Sequence, residues 1–205
     1  MNEAKTLIIQ RNASDLTGVL FHTKLISFEK LAVKARSQAM RVLDMKADGT
    51  LEETQHPIKT YDGFVESDMQ RDLLKLVWIN GYRTEPPRLA FLHGAGIKMG
   101  AIAMSRAVDS HDIIAVGATD FELAEAINAL IRAKGGIAVA CMDGVTVARR
   151  PTTLLDEPEK ENALRQYAQI ERKVKQLQTP LPDLLDRLLA VGAYDLPNLA
   201  AHLFV

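Results

Sequence analysis

The sequence has one cysteine, few aromatic residues and no long apolar run, and each of these absences excludes a class of protein. Cys141 alone can form neither an internal disulfide nor a cysteine-based metal cluster, and a single thiol suits a reducing compartment. No stretch approaches the roughly 18 apolar residues that a membrane span requires, and the start MNEAKTLIIQ lacks the apolar core of a secretory signal. We therefore expect a soluble protein of the cytoplasm.

An excess of charge of one sign is also missing. The chain has 25 lysine and arginine residues against 26 aspartate and glutamate residues, closely mixed, for a net charge of −1. Without a basic stripe or a polybasic helix, neither nucleic acid nor a membrane surface is an expected partner. A length of 205 residues with 47% hydrophobic and 25% charged residues fits one sizeable globular core. Small molecules and other proteins are the expected partners.

The motifs of self-contained hydrolases are absent as well. The five histidines are scattered along the chain and form no metal-ligand spacing; they are His22, His56, His93, His111 and His202. Ser110 stands beside a histidine but not in a Gly-x-Ser-x-Gly elbow, and neighbouring side chains on an extended strand point to opposite faces. We therefore expect neither a metal site within this chain nor a catalytic triad.

Short apolar runs rich in β-branched residues alternate with turns between about residues 5 and 150. The predicted strands are TLIIQ, AMRVLDM, RLAFL, DIIAVG, GIAVAC and VTVAR. Asp-Gly pairs mark tight turns at 48–49, 62–63 and 143–144, and CMDGV predicts a hairpin. The pattern predicts an α+β fold with mixed, mainly antiparallel sheets and packed helices, followed by a C-terminal helical segment.

Three segments carry helical signals. SDMQRDLLKLVWINGY predicts a helix that ends at Asn80-Gly81, with Trp78 in the core. Thr119 and Glu122 form a capping box that opens DFELAEAINALIRAKGG, and Lys134 with a following glycine closes that helix. Residues 157–178 form an amphipathic helix with one apolar stripe. This stripe either packs on the sheet domain or forms a dimer seam.

Two short motifs are candidate sites. In HGAGIKMG, Gly94, Gly96 and Gly100 surround Lys98, so that backbone amides and one cation can approach an anionic or carbonyl group. The alternative is a plain glycine-rich connection. The second motif, residues 109–111, is either a polar turn between the strands AIAMSRA and DIIAVG or a site that protrudes from a loop.

Residues 92–144 closely resemble the C-terminal domain of bacterial adenine deaminases. The resemblance rests on the glycine-rich loop around Lys98, on the Asp-Ser-His motif, and on the apolar strand, helix and Gly-Gly that follow. It implies an adenine-deaminase-like domain at 1–155 with a helical extension at 156–205. In this family a separate barrel precedes the domain and holds a divalent metal of the Mn, Fe or Zn type, which activates the water that attacks the purine. This chain contains no such barrel.

The resemblance also implies site residues. The residues that fall on the family's motif positions are Gly94, Gly96, Lys98, Gly100, Asp109, Ser110 and His111. It makes Asp109, Ser110 and His111 the catalytic candidates, and His93 joins Gly94, Gly96 and Lys98 as candidates for binding a ligand or partner. The sequence departs from the family pattern at His93, Ala95, Val108 and Asp112.

Three functional hypotheses follow. In the first hypothesis, the chain is the non-barrel part of an adenine deaminase whose barrel is another chain, and it is not catalytic alone. Alternatively it is a stand-alone module that binds a purine or related metabolite through the loop at 93–100 and His111. The third hypothesis is a structural protein whose helix 157–178 pairs subunits in a homo-oligomer.

Overall fold

A computed structural model describes residues 23–105, 112–148 and 157–204, so the predicted strand TLIIQ lies outside the described residues. The strands are β1 (Val33–Lys34), β2 (Ala39–Met45), β3 (Leu51–Pro57), β4 (Thr60–Tyr61), β5 (Phe64–Val65), β6 (Leu73–Ile79), β7 (Arg88–His93), β8 (Ala101–Ser105), β9 (Ile113–Gly117), β10 (Ile137–Cys141) and β11 (Gly144–Ala148). The helices are α1 (Asp120–Ala133), α2 (Glu157–Gln176), α3 (Leu184–Gly192) and α4 (Leu196–Ala201), and a 3₁₀ turn spans Phe28–Leu31.

Eight strands form the main sheet, in the order β11-β10-β8-β9-β6-β7-β2-β3. All neighbours in it are antiparallel except β2 and β7, which run parallel and pair Asp44 with His93. A second sheet contains β1, β5 and β4. The predicted α+β class with mainly antiparallel strands and C-terminal helices is therefore confirmed.

Both faces of the main sheet are covered. On one face α2, α3 and α4 pack buried side chains such as Ile170, Leu188 and Leu199 against the strands. On the other face α1 packs Leu123, Ile127 and Leu130 on β6, β8, β9 and β10. The small sheet covers the rest of that face, where its valines meet buried residues of β2 and β7. A sheet buried on both faces needs nearly continuous apolar strands, as β8 and β9 show.

The segment SDMQRDLLKLVWINGY is not a helix, and this prediction was wrong. Its central part is the strand β6, which lies between β7 and β9 in the middle of the sheet. Because both faces of β6 are covered, it lacks the alternation that identifies a strand, and its leucines fit helical spacing equally well. Trp78 is half-buried and packs against the core on the side of the C-terminal helices.

Helix α1 begins as predicted. The Thr119 hydroxyl accepts a hydrogen bond from the Glu122 amide at 3.2 Å and donates one to the Glu122 carboxylate at 2.8 Å. The helix ends differently in detail, since left-handed geometry begins at Lys134, with φ of 60°, and not at the following glycine. The amides of Lys134 and Gly135 bond the Ile131 and Leu130 carbonyls, which otherwise lack helical donors.

The amphipathic helix α2 packs on the sheet, which is one of the two alternatives that its apolar stripe left open. Ile170 is fully buried, Tyr167 and Val174 are half-buried, and Leu164 remains 43% exposed. Lys173 bonds Asp143 in the turn between β10 and β11, which ties this hairpin to the helix. Within the ranges that the structure describes, no helix has the length and apolarity to cross a membrane.

Candidate site at the glycine-rich loop

The glycine-rich loop connects β7 to β8 and lies at one end of the main sheet. At this end β7 finishes at His93 and β8 begins at Ala101, which pairs with Gly117 at the end of β9. The chain then enters α1 through Thr119, so the loop and the helix N-terminus are neighbours. Their proximity is seen directly in a hydrogen bond of 3.1 Å from the Gly100 amide to the Glu122 carboxylate.

The amides of the loop are held by Asp72. Its carboxylate accepts hydrogen bonds from the Gly94 amide at 3.1 Å and from the Gly96 amide at 2.8 Å. Asp72 itself adopts a left-handed conformation, with φ of 55°, immediately before β6. The amides that the sequence offered as a cradle for a ligand are thus occupied by a carboxylate of the protein.

Further bonds tie the loop to the end of α2. The Lys98 amide donates to the Leu177 carbonyl at 2.9 Å, and the Thr179 hydroxyl donates to the Ala95 carbonyl at 2.7 Å. These bonds connect a loop in the first half of the chain to the segment between α2 and α3. The loop therefore supports the C-terminal helices.

Close packing explains why the loop contains glycines. A Cβ at Gly94 would lie 2.3 Å from the Met45 carbonyl oxygen, and one at Gly96 would lie 2.4 Å from Pro180. A Cβ at Gly100 would lie 2.5 Å from the Ala140 carbonyl oxygen. All three glycines also have positive φ values, which disfavour any side chain. Close packing and positive φ values are therefore enough to explain why glycine occupies these three positions.

The charged part of Lys98 lies at the surface. The residue is exposed, and its ammonium group donates a hydrogen bond of 2.8 Å to the Met69 carbonyl. A backbone carbonyl is a neutral acceptor, so the lysine keeps its positive charge uncompensated by this contact. Lys98 is thus the loop residue that can present charge to a ligand or partner.

His93 precedes the loop and forms a pair with Asp44 across the parallel β2–β7 junction. Its Nδ1 bonds the Asp44 carboxylate, which also accepts a hydrogen bond of 3.2 Å from Lys46. Burial raises the pKa of Asp44, but the hydrogen bonds from Lys46 and His93 outweigh it and hold this pKa below its usual value. The His93 side chain is 39% exposed, and the His56 ring lies 5.5 Å from it between centroids. The pair joins a carboxylate to a partly exposed imidazole.

The catalytic candidates Asp109, Ser110 and His111 lie outside the described residues. The strands on either side are described: β8 ends at Ser105, which pairs with Ile113, at the opposite end of the strand from Gly100. A five-residue strand spans roughly 13 Å, so neither end of this connection adjoins Lys98. A shared site for Lys98 and His111 stays a prediction.

Two polar residues of this region were missed by the sequence interpretation. Asp72 gave no signal, because a single aspartate before an apolar run is ordinary. Lys75 is 1% exposed in β6, with Nζ 2.5 Å from the Asp120 carboxylate and 2.8 Å from the Leu31 carbonyl. Burial lowers the pKa of Lys75. Its only signal was the position of a lysine within the apolar run LLKLVWI.

Across 23–105, 112–148 and 157–204, no group of three or more histidine, cysteine, aspartate or glutamate side chains is placed to hold a metal ion. The residues described therefore do not fit a metal centre.

Comparison with known proteins identifies the family. The sequence profile of the adenine deaminase C-terminal domain matches residues 50–199. An adenine deaminase of Parabacteroides distasonis is 50% identical over 181 residues, which cover 87% of this chain and 33% of that protein. Adenine deaminases of Salinibacter ruber and Methanosarcina mazei are 39% and 36% identical, over 73% and 69% of this chain and 28% and 26% of their own lengths.

The chain thus spans about a third or less of the length of these relatives. The profile match covers most of the chain, including β6 to β11, α2, α3 and the first part of α4. The chain belongs to the adenine deaminase C-terminal domain family.

Proposed function

We propose that this chain serves as the C-terminal part of an adenine deaminase and acts together with a metal-bearing barrel. The observation that carries this proposal is the profile match over residues 50–199, together with 50% identity to a third of a protein named adenine deaminase. In this proposal the reaction is the hydrolysis of adenine to hypoxanthine and ammonia. The chain alone is not catalytic.

The family resemblance and the described geometry of the loop support the following roles within the assembly. The barrel supplies the divalent metal and the activated water. This chain supplies a rigid body whose glycine-rich loop is fixed by Asp72 and whose exposed cation is Lys98. Lys98, in the loop before β8, and His111, in the connection after it, each face the barrel or the purine in this proposal, because loops at strand ends are where sites are commonly built.

A chimera tests the proposal. In the Parabacteroides distasonis adenine deaminase, the segment that matches this chain is replaced by this chain, and ammonia release from adenine is measured. We expect deamination by the chimera and none by the chain alone. Ammonia release from adenine by the purified chain alone would contradict the division of roles. A chimera that is folded by circular dichroism and loaded with metal, yet inactive, would contradict the equivalence of the two domains.

The site residues are tested in the same chimera. We expect Lys98→Met and His111→Asn each to lower kcat/KM, and the double variant to differ from the sum of their effects if the two residues share one site. Lys30→Met, at another exposed lysine, is the control and should leave kcat/KM unchanged. Normal activity in both single variants would remove these two residues from the proposed site.

A further inference from the structure

A cleft of about 600 Å³ lies between β1, the start of β7 and the end of α4. Three of its lining residues are cations, Lys34, Arg36 and Arg88, and no aspartate or glutamate of the described residues lines it. We call it the cationic cleft. In a chain whose 25 basic and 26 acidic residues are otherwise closely mixed, this is a local excess of one charge. A concave surface lined by one sign of charge attracts ions of the opposite sign.

The three cations of the cleft have no carboxylate partner within the part of the chain that the structure describes. Other exposed or half-buried cations do form such pairs, as Arg187 does with Asp183 at 2.9 Å. None of the three cleft cations takes part in an ion pair or a side-chain hydrogen bond with a described residue, and all three are exposed. Their charge is therefore available to an anion from outside the chain.

The cations come from two separate segments. Lys34 lies on β1 and Arg36 follows two residues later, whereas Arg88 begins β7. A guanidinium group binds two phosphate oxygens through parallel N–H donors, and an ammonium group adds a compact charge. Two guanidinium groups and one ammonium group exceed what a single carboxylate can use. They match the several oxygens and the double charge of a phosphate monoester.

The remaining lining of the cleft is mostly apolar. Leu203 is buried, and Leu89 and Phe204 are half-buried. The segment that carries Leu203 and Phe204 is held against β2, because the Arg41 amide donates to the Leu203 carbonyl at 2.7 Å and Phe204 forms a β-bridge with Met40. A preformed apolar wall beside a few charged groups is the usual composition of a site for a small organic ligand.

We propose that the cationic cleft binds a phosphate monoester whose organic part is apolar or planar, as in a nucleotide. The cleft is distinct from the glycine-rich loop, because Arg88 begins β7 and His93 ends it just before that loop. A strand of this length spans roughly 17 Å, so a ligand at Arg88 and one at Lys98 occupy different sites. The inference goes beyond the proposed function and does not depend on it.

Calorimetric titration of the chain with three probes tests the ligand class. We expect adenosine monophosphate to bind and adenosine, which lacks the phosphate, to give no measurable binding. Inorganic phosphate should bind roughly tenfold more weakly than adenosine monophosphate, because it lacks an organic part to cover the apolar wall. Added potassium chloride should weaken the binding of adenosine monophosphate.

Two results of these titrations would contradict the proposal. Adenosine monophosphate that binds no more tightly than adenosine would overturn the role of the cations. Equal affinities for adenosine monophosphate and inorganic phosphate would overturn the role of the apolar wall.

Substitutions locate the binding in the cleft. The double variant Arg36→Gln, Arg88→Gln should weaken the binding of adenosine monophosphate by roughly tenfold or more. Its melting temperature should stay within a few degrees of the wild type, since both side chains are exposed and have no carboxylate partner among the described residues. Arg132→Gln, at an exposed arginine of α1, is the control and should bind like the wild type. A folded double variant with unchanged affinity would overturn the site.

A single-stranded oligonucleotide provides the last comparison. We expect it to bind no more tightly per phosphate than adenosine monophosphate, because three cations in one cleft cannot follow an extended backbone. Much tighter binding of the oligonucleotide, lost in the double variant, would assign the cations to nucleic acid and overturn the proposal. The chimera assay is unaffected by either result, so the proposed function is tested separately.

Discussion

Lys75 and Asp120 form an ion pair in which the two partners are buried to different extents. Their Nζ and Oδ1 atoms are 2.5 Å apart, but the Lys75 side chain is 1% exposed and the Asp120 side chain is 27% exposed. Lys75 also bonds the Leu31 carbonyl, so one side chain of the central strand holds both α1 and the 3₁₀ turn.

Because of this difference in burial, we expect substitutions at the two residues to lower the free energy of unfolding by different amounts. Asp120→Asn leaves a fully buried ammonium group without its carboxylate, and we expect it to lower the free energy of unfolding by about 3–5 kcal/mol. Lys75→Met removes the buried charge and leaves Asp120 partly solvated at a helix N-terminus, so the loss should be about 1–3 kcal/mol. Urea denaturation measures both.

The double variant is the control for this prediction. In Lys75→Met, Asp120→Asn no buried charge is left unpaired, so its stability should lie close to that of Lys75→Met alone. A Lys75→Met variant that is less stable than Asp120→Asn would contradict the explanation by unequal burial.

Asp72 and Asp62 provide a matched pair for testing how the glycine-rich loop is held. Both have positive φ, 55° and 54°, so replacement by alanine carries a similar backbone cost at each position. Asp72→Ala also removes the acceptor for the Gly94 and Gly96 amides, and should cost about 1–3 kcal/mol more than Asp62→Ala. Equal losses for the two variants in urea denaturation would show that these hydrogen bonds contribute little.

Gly94 and Gly63 separate steric overlap from backbone strain. Their φ values are 95° and 83°, but a Cβ at Gly94 would lie 2.3 Å from the Met45 carbonyl oxygen, whereas a Cβ at Gly63 would meet nothing within 4 Å. We therefore expect Gly94→Ala to lower the free energy of unfolding by about 1–3 kcal/mol more than Gly63→Ala does. Similar losses would mean that β2 moves away from the loop at little cost.

The hydrogen bond from Tyr194 to Glu53 predicts a loss of stability at alkaline pH. The Tyr194 hydroxyl donates to Glu53 at 2.7 Å, and this bond, with a smaller effect of burial, raises the pKa of Tyr194 to about 12. The unfolded chain loses this proton near pH 10, so the stabilisation is complete below pH 10 and is lost as the pH rises from 10 to 12.

The stability difference between the wild type and Tyr194→Phe should therefore shrink across that window, as measured by urea denaturation at a series of pH values. Tyr61→Phe, at a tyrosine that is 75% exposed, is the control and should differ little from the wild type at any pH. A difference that stays constant from pH 9 to 12 would contradict the assigned role of the Glu53 bond.

The sequence by itself determined the local features of this protein. The capping box at Thr119 and Glu122 needs only residues within one helical turn, and the Asp-Gly turns need only residues within one hairpin. The strands AMRVLDM, RLAFL, DIIAVG, GIAVAC and VTVAR were predictable because their β-branched residues and flanking turns are adjacent in sequence. The family resemblance depends on motifs of the same short range.

Only the tertiary structure decided the features that depend on residues far apart in the chain. β6 is a strand because β7 and β9 provide partners for its backbone and two covered faces for its leucines, which an isolated helix would not have. Lys75 can be buried because its ammonium group pairs with the carboxylate of Asp120, 45 residues away. The glycines of the loop were visible in the sequence, but their close neighbours Met45, Ala140 and Pro180 come from distant segments. Contacts of this kind depend on how the sheet and helices assemble, and local sequence patterns do not encode that assembly.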